Sequence, residues 1–319
     1  MREVYKKMPK VELHMHLDGS IPLEVLCSLS GLSREKVIDE VVSINDHSLG
    51  EYLTHFNFVN KYLQTKDNIE LASFELGKRL DEENVIYAEI RFAPLSHIQE
   101  GLTPEEVVES VLKGFEKCRV KTNLILCIRR GEDEETCLKV VRLANKYLGK
   151  GVVAIDLVGD EETYPFKDME YIFKVCKYAS IPVTIHAGET NKRDILDVIP
   201  YTQRIGHGIK IYDDEELIKK VIKNKILLEV CPNSNIDTRN FVDYYHHPIK
   251  YLYDKGVKIS INTDNRTVSN INLTEEYENL EKFLGFTIED FKKMNLNAID
   301  YAFISDKEKK KLKNIIQGE

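Results

Sequence analysis

The chain has 319 residues, 42% of them hydrophobic, and a formal net charge of −8. That size and apolar content can build a full core without disulfides, and the acidic balance argues against a nucleic-acid backbone as partner. No apolar run approaches transmembrane length, and the start "MREVYKKMPK" has no signal-like apolar region; a cytoplasmic protein, off the membrane, is expected. Its six cysteines contain no C-x-x-C pair and read as reduced, mostly buried thiols.

In chain order, the first strand-like run is "KVELHMHL" (10–17). Residues i and i+2 share a strand face, so His14 and His16 aim two imidazoles one way. Leu13, Met15 and Leu17 point the other way, into apolar packing, and "DGS" (18–20) opens a turn. A long connection, 20–84, follows. It contains "SLGEYLTHFNFVNKYLQ" (48–64), an amphipathic helix whose Tyr52, Leu53 and Phe56 exceed what barrel packing needs. A lid-like insertion around 45–65 is expected from it.

Further short apolar runs then alternate with helical stretches. They are "VIYAEIRF" (85–92), "NLILCIR" (123–129), "VVAIDLV" (152–158), "PVTIHA" (182–187), "QRIGHG" (203–208), "ILLEVCP" (226–232) and "VKISINT" (257–263). Nearly continuous apolar runs of this kind are strands covered on both faces. Between them, 103–118 begins with Thr103, Pro104 and Glu106, an N-cap, a first-turn proline and a capping-box partner. The stretch 133–151 stops at Gly149 and Gly151, 213–225 runs from acidic to basic, and 287–303 starts at a Thr287/Asp290 box. The basic tail 306–314 reads as a solvated helix end.

Eight strands alternating with helices predict an α/β fold of the (β/α)8 TIM-barrel type, a single domain over 1–319 with extra helices after strand 1 and at the C-terminus. A doubly wound open sheet is the rival. The strand count and the lack of G-x-G-x-x-G after strand 1 speak against it.

Barrel active sites form at the C-terminal strand ends. There lie His186 and Glu189 on strand 5, His207 on strand 6, Asp264 and Asn265 on strand 8, and Gly159 after strand 4. Only a closed barrel makes strands 1 and 8 neighbours, which unites His14, His16 and Asp264. Three imidazoles and a carboxylate suit one Zn²⁺ with an open position for water. Strand 4 offers no lysine at its end for a second, bridged metal. Glu189 could exchange a proton with substrate, His207 could orient a hydroxide, and Asp264 could both ligate and accept a proton. The other histidines carry no such support: His47 and His55 read as surface or lid, His97 as loop, and His246 and His247 as capping or solvated.

Taken together, "PKVELHMHLDGS", "EIRFAP", "HAGE", "GHG", "CPNSN" and "SINTDN" resemble the adenosine deaminase family over nearly the whole chain. The resemblance implies one zinc on His14, His16, His186 and Asp264, with Glu189 as the acid toward a purine ring nitrogen and His207 over the attacking hydroxide. It implies a ribose contact for Asp18, alongside His16, and a backbone contact from Gly159 to the purine. Asn265 stands where animal members carry a second Asp, and its amide can still donate to the purine. Leu49, Tyr52, Leu53 and Phe56 match the family's apolar gate over the base. Members resembling adenine deaminases carry Glu at position 18, and those acting on modified nucleotides tend to carry Asn. Asp18 thus points to hydrolytic deamination of adenosine and 2′-deoxyadenosine by a zinc-activated hydroxide. The alternative is a sister aminohydrolase acting on adenine or another 6-aminopurine derivative.

Overall fold

The computed structural model describes residues 2–43 and 48–318. Eight strands occur in chain order: β1 (Lys10–His16), β2 (Val85–Phe92), β3 (Lys121–Arg129), β4 (Val152–Val158), β5 (Val183–Ala187), β6 (Arg204–His207), β7 (Leu227–Val230) and β8 (Lys258–Ile261). Each pairs in parallel with the next, so one sheet runs from β1 to β8. It curls until the chain just past β8 meets β1. Met15 and Asp264 form a parallel bridge there, and the His16 amide donates to the Asp264 carbonyl at 2.7 Å. Asn262 closes the seam further: its Oδ1 accepts from the amides of Leu13 and His14 at 2.8 and 3.1 Å. This is the expected (β/α)8 barrel. Observed strand limits fall within two residues of the expected ones at nearly every end.

Helices form where the caps predict them. Pro104–Phe115 carries a full Thr103/Glu106 capping box and Ile288–Tyr301 a Thr287/Asp290 box, while Asp133 and Asp214 cap the helices that follow them. The connection after β1 holds four helices, Leu23–Ser30, Arg34–Val41, Leu49–Tyr62 and Lys66–Glu82. Residues 45–47 of the expected insertion, His47 among them, lie outside the described residues.

Two expectations need correcting. The tail is a capped helix, Asp306–Gln317, and Leu312 and Ile316 pack it against Val11, Leu13 and Tyr87. Its lysines are on the wet side of an amphipathic helix, and its apolar stripe covers part of the barrel. His247 is buried: its Nε2 donates to Asn235 Oδ1 at 3.3 Å and its Nδ1 accepts from the Ile249 amide at 3.3 Å; His97 sits buried in a short 3₁₀ turn against Phe92. His247 thus caps the start of the helix Ile249–Asp254, as one of its two expected roles had it, but neither histidine is exposed to solvent.

The barrel interior is unusual in its charge. Arg91, Arg204, Glu89, Asp156 and Glu229 are all fully buried inside it. Branched apolar residues ordinarily fill that space.

Candidate active site

The metal-ligand candidates come together as the closed barrel requires. His14 and His16 leave β1 on the same face, His186 leaves β5, and Asp264 follows β8. Their ligand atoms all lie within 4.8 Å of one another. His14 Nε2 is 3.3 Å and His16 Nε2 3.4 Å from Asp264 Oδ1. His14 Nε2 and Asp264 Oδ1 are buried without a hydrogen-bond partner. Orphaned groups of that kind are costly, and a cation between them removes the cost. The residues therefore fit a metal. A second group, His207, Cys231 and Asp264, is as close together. It borrows Asp264 from the first, and burial holds the Cys231 thiol well above its ordinary pKa.

Three of the four candidate ligands, His14, His186 and Asp264, are aimed from behind. His14 Nδ1 lies 2.9 Å from Glu229 Oε2, and His186 Nδ1 lies 3.0 Å from Asp156 Oδ2. Arg91 reaches both carboxylates, Asp156 at 2.5 Å and Glu229 at 2.7 Å. Ser234 donates to Asp264 Oδ2 at 2.6 Å, which leaves Oδ1 for a cation. Such outer partners fix the imidazole tautomer and orientation. Gly206 makes room between two ligands: a Cβ there would lie 3.0 Å from His14 Cε1 and 3.2 Å from His186 Nδ1. Both Asp264 and His207 have φ of +62°, a costly conformation outside glycine, and one that clusters at functional sites.

Glu189 and His207 flank the cluster. His207 Nε2 is 3.7 Å from Glu189 Oε2, and its Nδ1 is 3.1 Å from the Asn235 amide. Burial raises the Glu189 carboxyl well above its ordinary pKa, and the charges of Asp264 and Glu161 add to the effect. Burial pushes His207 the other way, well below its ordinary value, with His14 contributing. A neutral ring is left to accept or donate one hydrogen bond.

A cleft of about 330 Å³ opens over these groups, within the range of small-molecule sites. His16, Asp18, Gly159, His186, Glu189, His207, Asp264 and Asn265 all line it, and so do Leu49, Tyr52, Leu53 and Phe56. Every expected site residue except His14 reaches the cleft; His14 is fully buried beneath it. Asp18 Oδ1 and Asn265 Oδ1 are buried and unpartnered within the protein. Gly19 lets Asn265 stand there, since a Cβ at Gly19 would lie 1.9 Å from Asn265 Oδ1.

Several residues escaped the sequence reading. Asp156, Glu229 and Arg91 orient the ligands, and Ser234 and Asn235 of "CPNSN" hold Asp264 and His207. Glu161 accepts from the amides of Gly188, Thr190 and Asn191, which pins the loop that carries Glu189. A signal existed for the first three: a charge within a strand buried on both faces, alone in β4 and β7 and beside Glu89 in β2, must find a buried partner.

Comparison with known proteins agrees with this architecture. A profile of the adenosine deaminase family matches residues 9–318. An adenosine deaminase of Clostridium perfringens is 42% identical over 96% of this chain and 97% of its own. One from Clostridium botulinum is 42% identical over 98% of this chain and 99% of its own. The solved N6-methyl-AMP deaminase of Arabidopsis thaliana superposes with a TM-score of 0.88 at 26% identity, covering 100% of this chain and 98% of that one. The barrel and its histidine–aspartate mouth define the class, a metallo-dependent hydrolase on a (β/α)8 frame. Within that class, the chain belongs to the adenosine deaminase family.

Proposed function

We propose that this protein hydrolyses adenosine and 2′-deoxyadenosine to inosine and 2′-deoxyinosine, with release of ammonia. The observation that carries the reading is the four-ligand cluster set beside a buried Glu189 in a cleft of nucleoside size. His14, His16, His186 and Asp264 would hold one zinc ion. Bound there, the ion supplies Lewis acidity that lowers the pKa of water from about 15.7 to about 7.

The chain's own residues do the rest. Glu189 gives its proton to a purine ring nitrogen, which makes the amino-bearing carbon next to it electrophilic. His207 orients the incoming oxygen, and Asp264 takes the proton that water gives up. The amino group takes the proton held on Asp264 and leaves as ammonia, and the proton left on the added oxygen returns Glu189 to its acid form as the carbonyl forms. Asp18 holds a ribose hydroxyl, and Gly159 and Asn265 meet the purine edge. The lid helix excludes bulk water, so these fixed dipoles act at low dielectric. The chain works as one barrel unit with Leu49–Tyr62 as its lid.

No helix among the described residues is long and apolar enough to cross a membrane. Six unpaired cysteines suit a reducing compartment, and we place the enzyme in the cytoplasm.

A sister activity on adenine or another 6-aminopurine derivative, a nucleotide included, is the second reading, favoured by the likeness to the N6-methyl-AMP deaminase. Initial rates on adenosine, deoxyadenosine, adenine and AMP separate the two. Adenosine should lead in kcat/KM; a lead for adenine or AMP would displace the proposal.

A further inference from the structure

The lid helix Leu49–Tyr62 is held loosely along its length. Of its 14 residues only Tyr52 and Val59 are buried, and Leu53 is 37% exposed. Tyr52 is therefore the one buried anchor in the half of the helix that lies over the cleft. Its neighbours on the cleft side, Leu49, Leu53 and Phe56, are apolar, and a phenylalanine ring would fill the same space. The hydroxyl needs its own explanation, because a buried O–H without a partner is costly.

It has a partner far away in sequence. Tyr52 Oη lies 2.8 Å from Ser269 Oγ, a buried contact. The Ser269 carbonyl accepts from Asn233 Nδ2 at 3.0 Å, and the Ser269 amide donates to the Asn265 carbonyl at 2.9 Å. The loop that carries Ser269 is fixed in turn to the turn after β1, since the amides of Thr267 and Val268 both donate to the Gly19 carbonyl. Ser234, next in sequence to Asn233, donates to Asp264. Lid, purine-side Asn265 and metal-ligand loop thus meet around one phenol.

We propose that the Tyr52 hydroxyl is a positioning latch, which closes the lid helix over the cleft by bonding Ser269 and so ties lid closure to the loop that presents Asp264 and Asn265. The latch rests on the reading that a nucleoside occupies the cleft. Opening exposes the buried Tyr52 ring and breaks its hydrogen bond to Ser269. Loss of the hydroxyl leaves the ring in place but raises the population of the open lid, and substrate then dissociates more readily.

The test compares Tyr52→Phe, Ser269→Ala and the double variant in the metal-loaded protein. Hydrogen–deuterium exchange without substrate should rise about fivefold in residues 49–62 for each, the ratio set by one net hydrogen bond. It should stay unchanged in the strands. Release of bound inosine, followed by stopped flow, should quicken about fivefold in each single variant, with KM little changed, because the bond is lost from the free and the occupied closed lid alike. The double variant should show no further rise, because both changes break the same bond. Unchanged lid exchange, exchange raised throughout the chain, or effects that multiply to about 25-fold in the double variant would each overturn the latch. The exchange readout needs no substrate, so a protein that exchanges as expected but fails on adenosine would refute the substrate reading alone.

Discussion

Arg91 donates through Nη2 to the same Glu229 oxygen that lies 2.9 Å from His14 Nδ1. Its other nitrogen, Nη1, reaches Asp156 Oδ2, the atom that faces His186 Nδ1. A single buried guanidinium therefore yokes the two carboxylates that face the imidazoles of His14 and His186, two of the proposed metal ligands. Arg91→Lys cannot span both carboxylates with one ammonium. Metal affinity, read by chelator competition, should fall by about 10- to 100-fold. Arg91→Met should also cost about 3–5 kcal/mol of stability, because it strands the buried Asp156 carboxylate and leaves Glu229 with Arg204 as its one guanidinium partner. Unchanged affinity in the lysine variant would remove Arg91 from the site's design.

Glu189→Gln keeps the shape of the side chain and removes the transferable proton. Elemental analysis should find the metal retained. Ammonia release should drop by about 10²- to 10⁴-fold, the usual share of a general acid. Full activity in this variant would mean that the ring nitrogen takes its proton elsewhere.

Asp18 presents an unpartnered carboxylate oxygen to the cleft. Asp18→Ala should raise KM for adenosine about tenfold or more, as loss of a charge-assisted hydrogen bond does. Any turnover of free adenine, which has no sugar, should change little. Equal losses on both substrates would exclude a sugar contact.

Acid should destabilise the fold through His97. Burial lowers its pKa to about 4, against an ordinary value of 6.5. Between those values the unfolded chain holds a proton that the folded chain refuses. The stabilising difference is therefore fully present above pH 6.5 and is lost as pH falls through about 4. From pH 7 to pH 5 this group should withdraw about 2 kcal/mol, at roughly 1.4 kcal/mol per pH unit. His97→Gln should remove that part of the slope in urea unfolding. Parallel slopes for the two proteins would show that His97 titrates normally.

The sequence made the repeating parts of the structure readable. Period-2 patterning placed His14 and His16 on one face, and Thr103 and Thr287 marked helix starts that the structure keeps. The meeting of His14, His16, His186 and Asp264 was legible because barrel topology dictates where strand ends converge. What stayed hidden depends on pairing across the barrel. Asp156 sits in "AIDLV" and Glu229 in "LLEV", and neither run says which imidazole the charge will face. Arg91 and Glu229 are 138 residues apart, and their contact exists only once the barrel closes. The lysines of the tail concealed Leu312 and Ile316, whose burial depends on the neighbouring helix and β1.

Stoichiometric reconstitution tests the central claim most directly. Protein stripped by a chelator should release no ammonia from adenosine above background. Added Zn²⁺ should then restore activity linearly up to one equivalent per chain, and Asp264→Ala should abolish the recovery. Stripped protein that deaminates adenosine at the full rate would contradict the account.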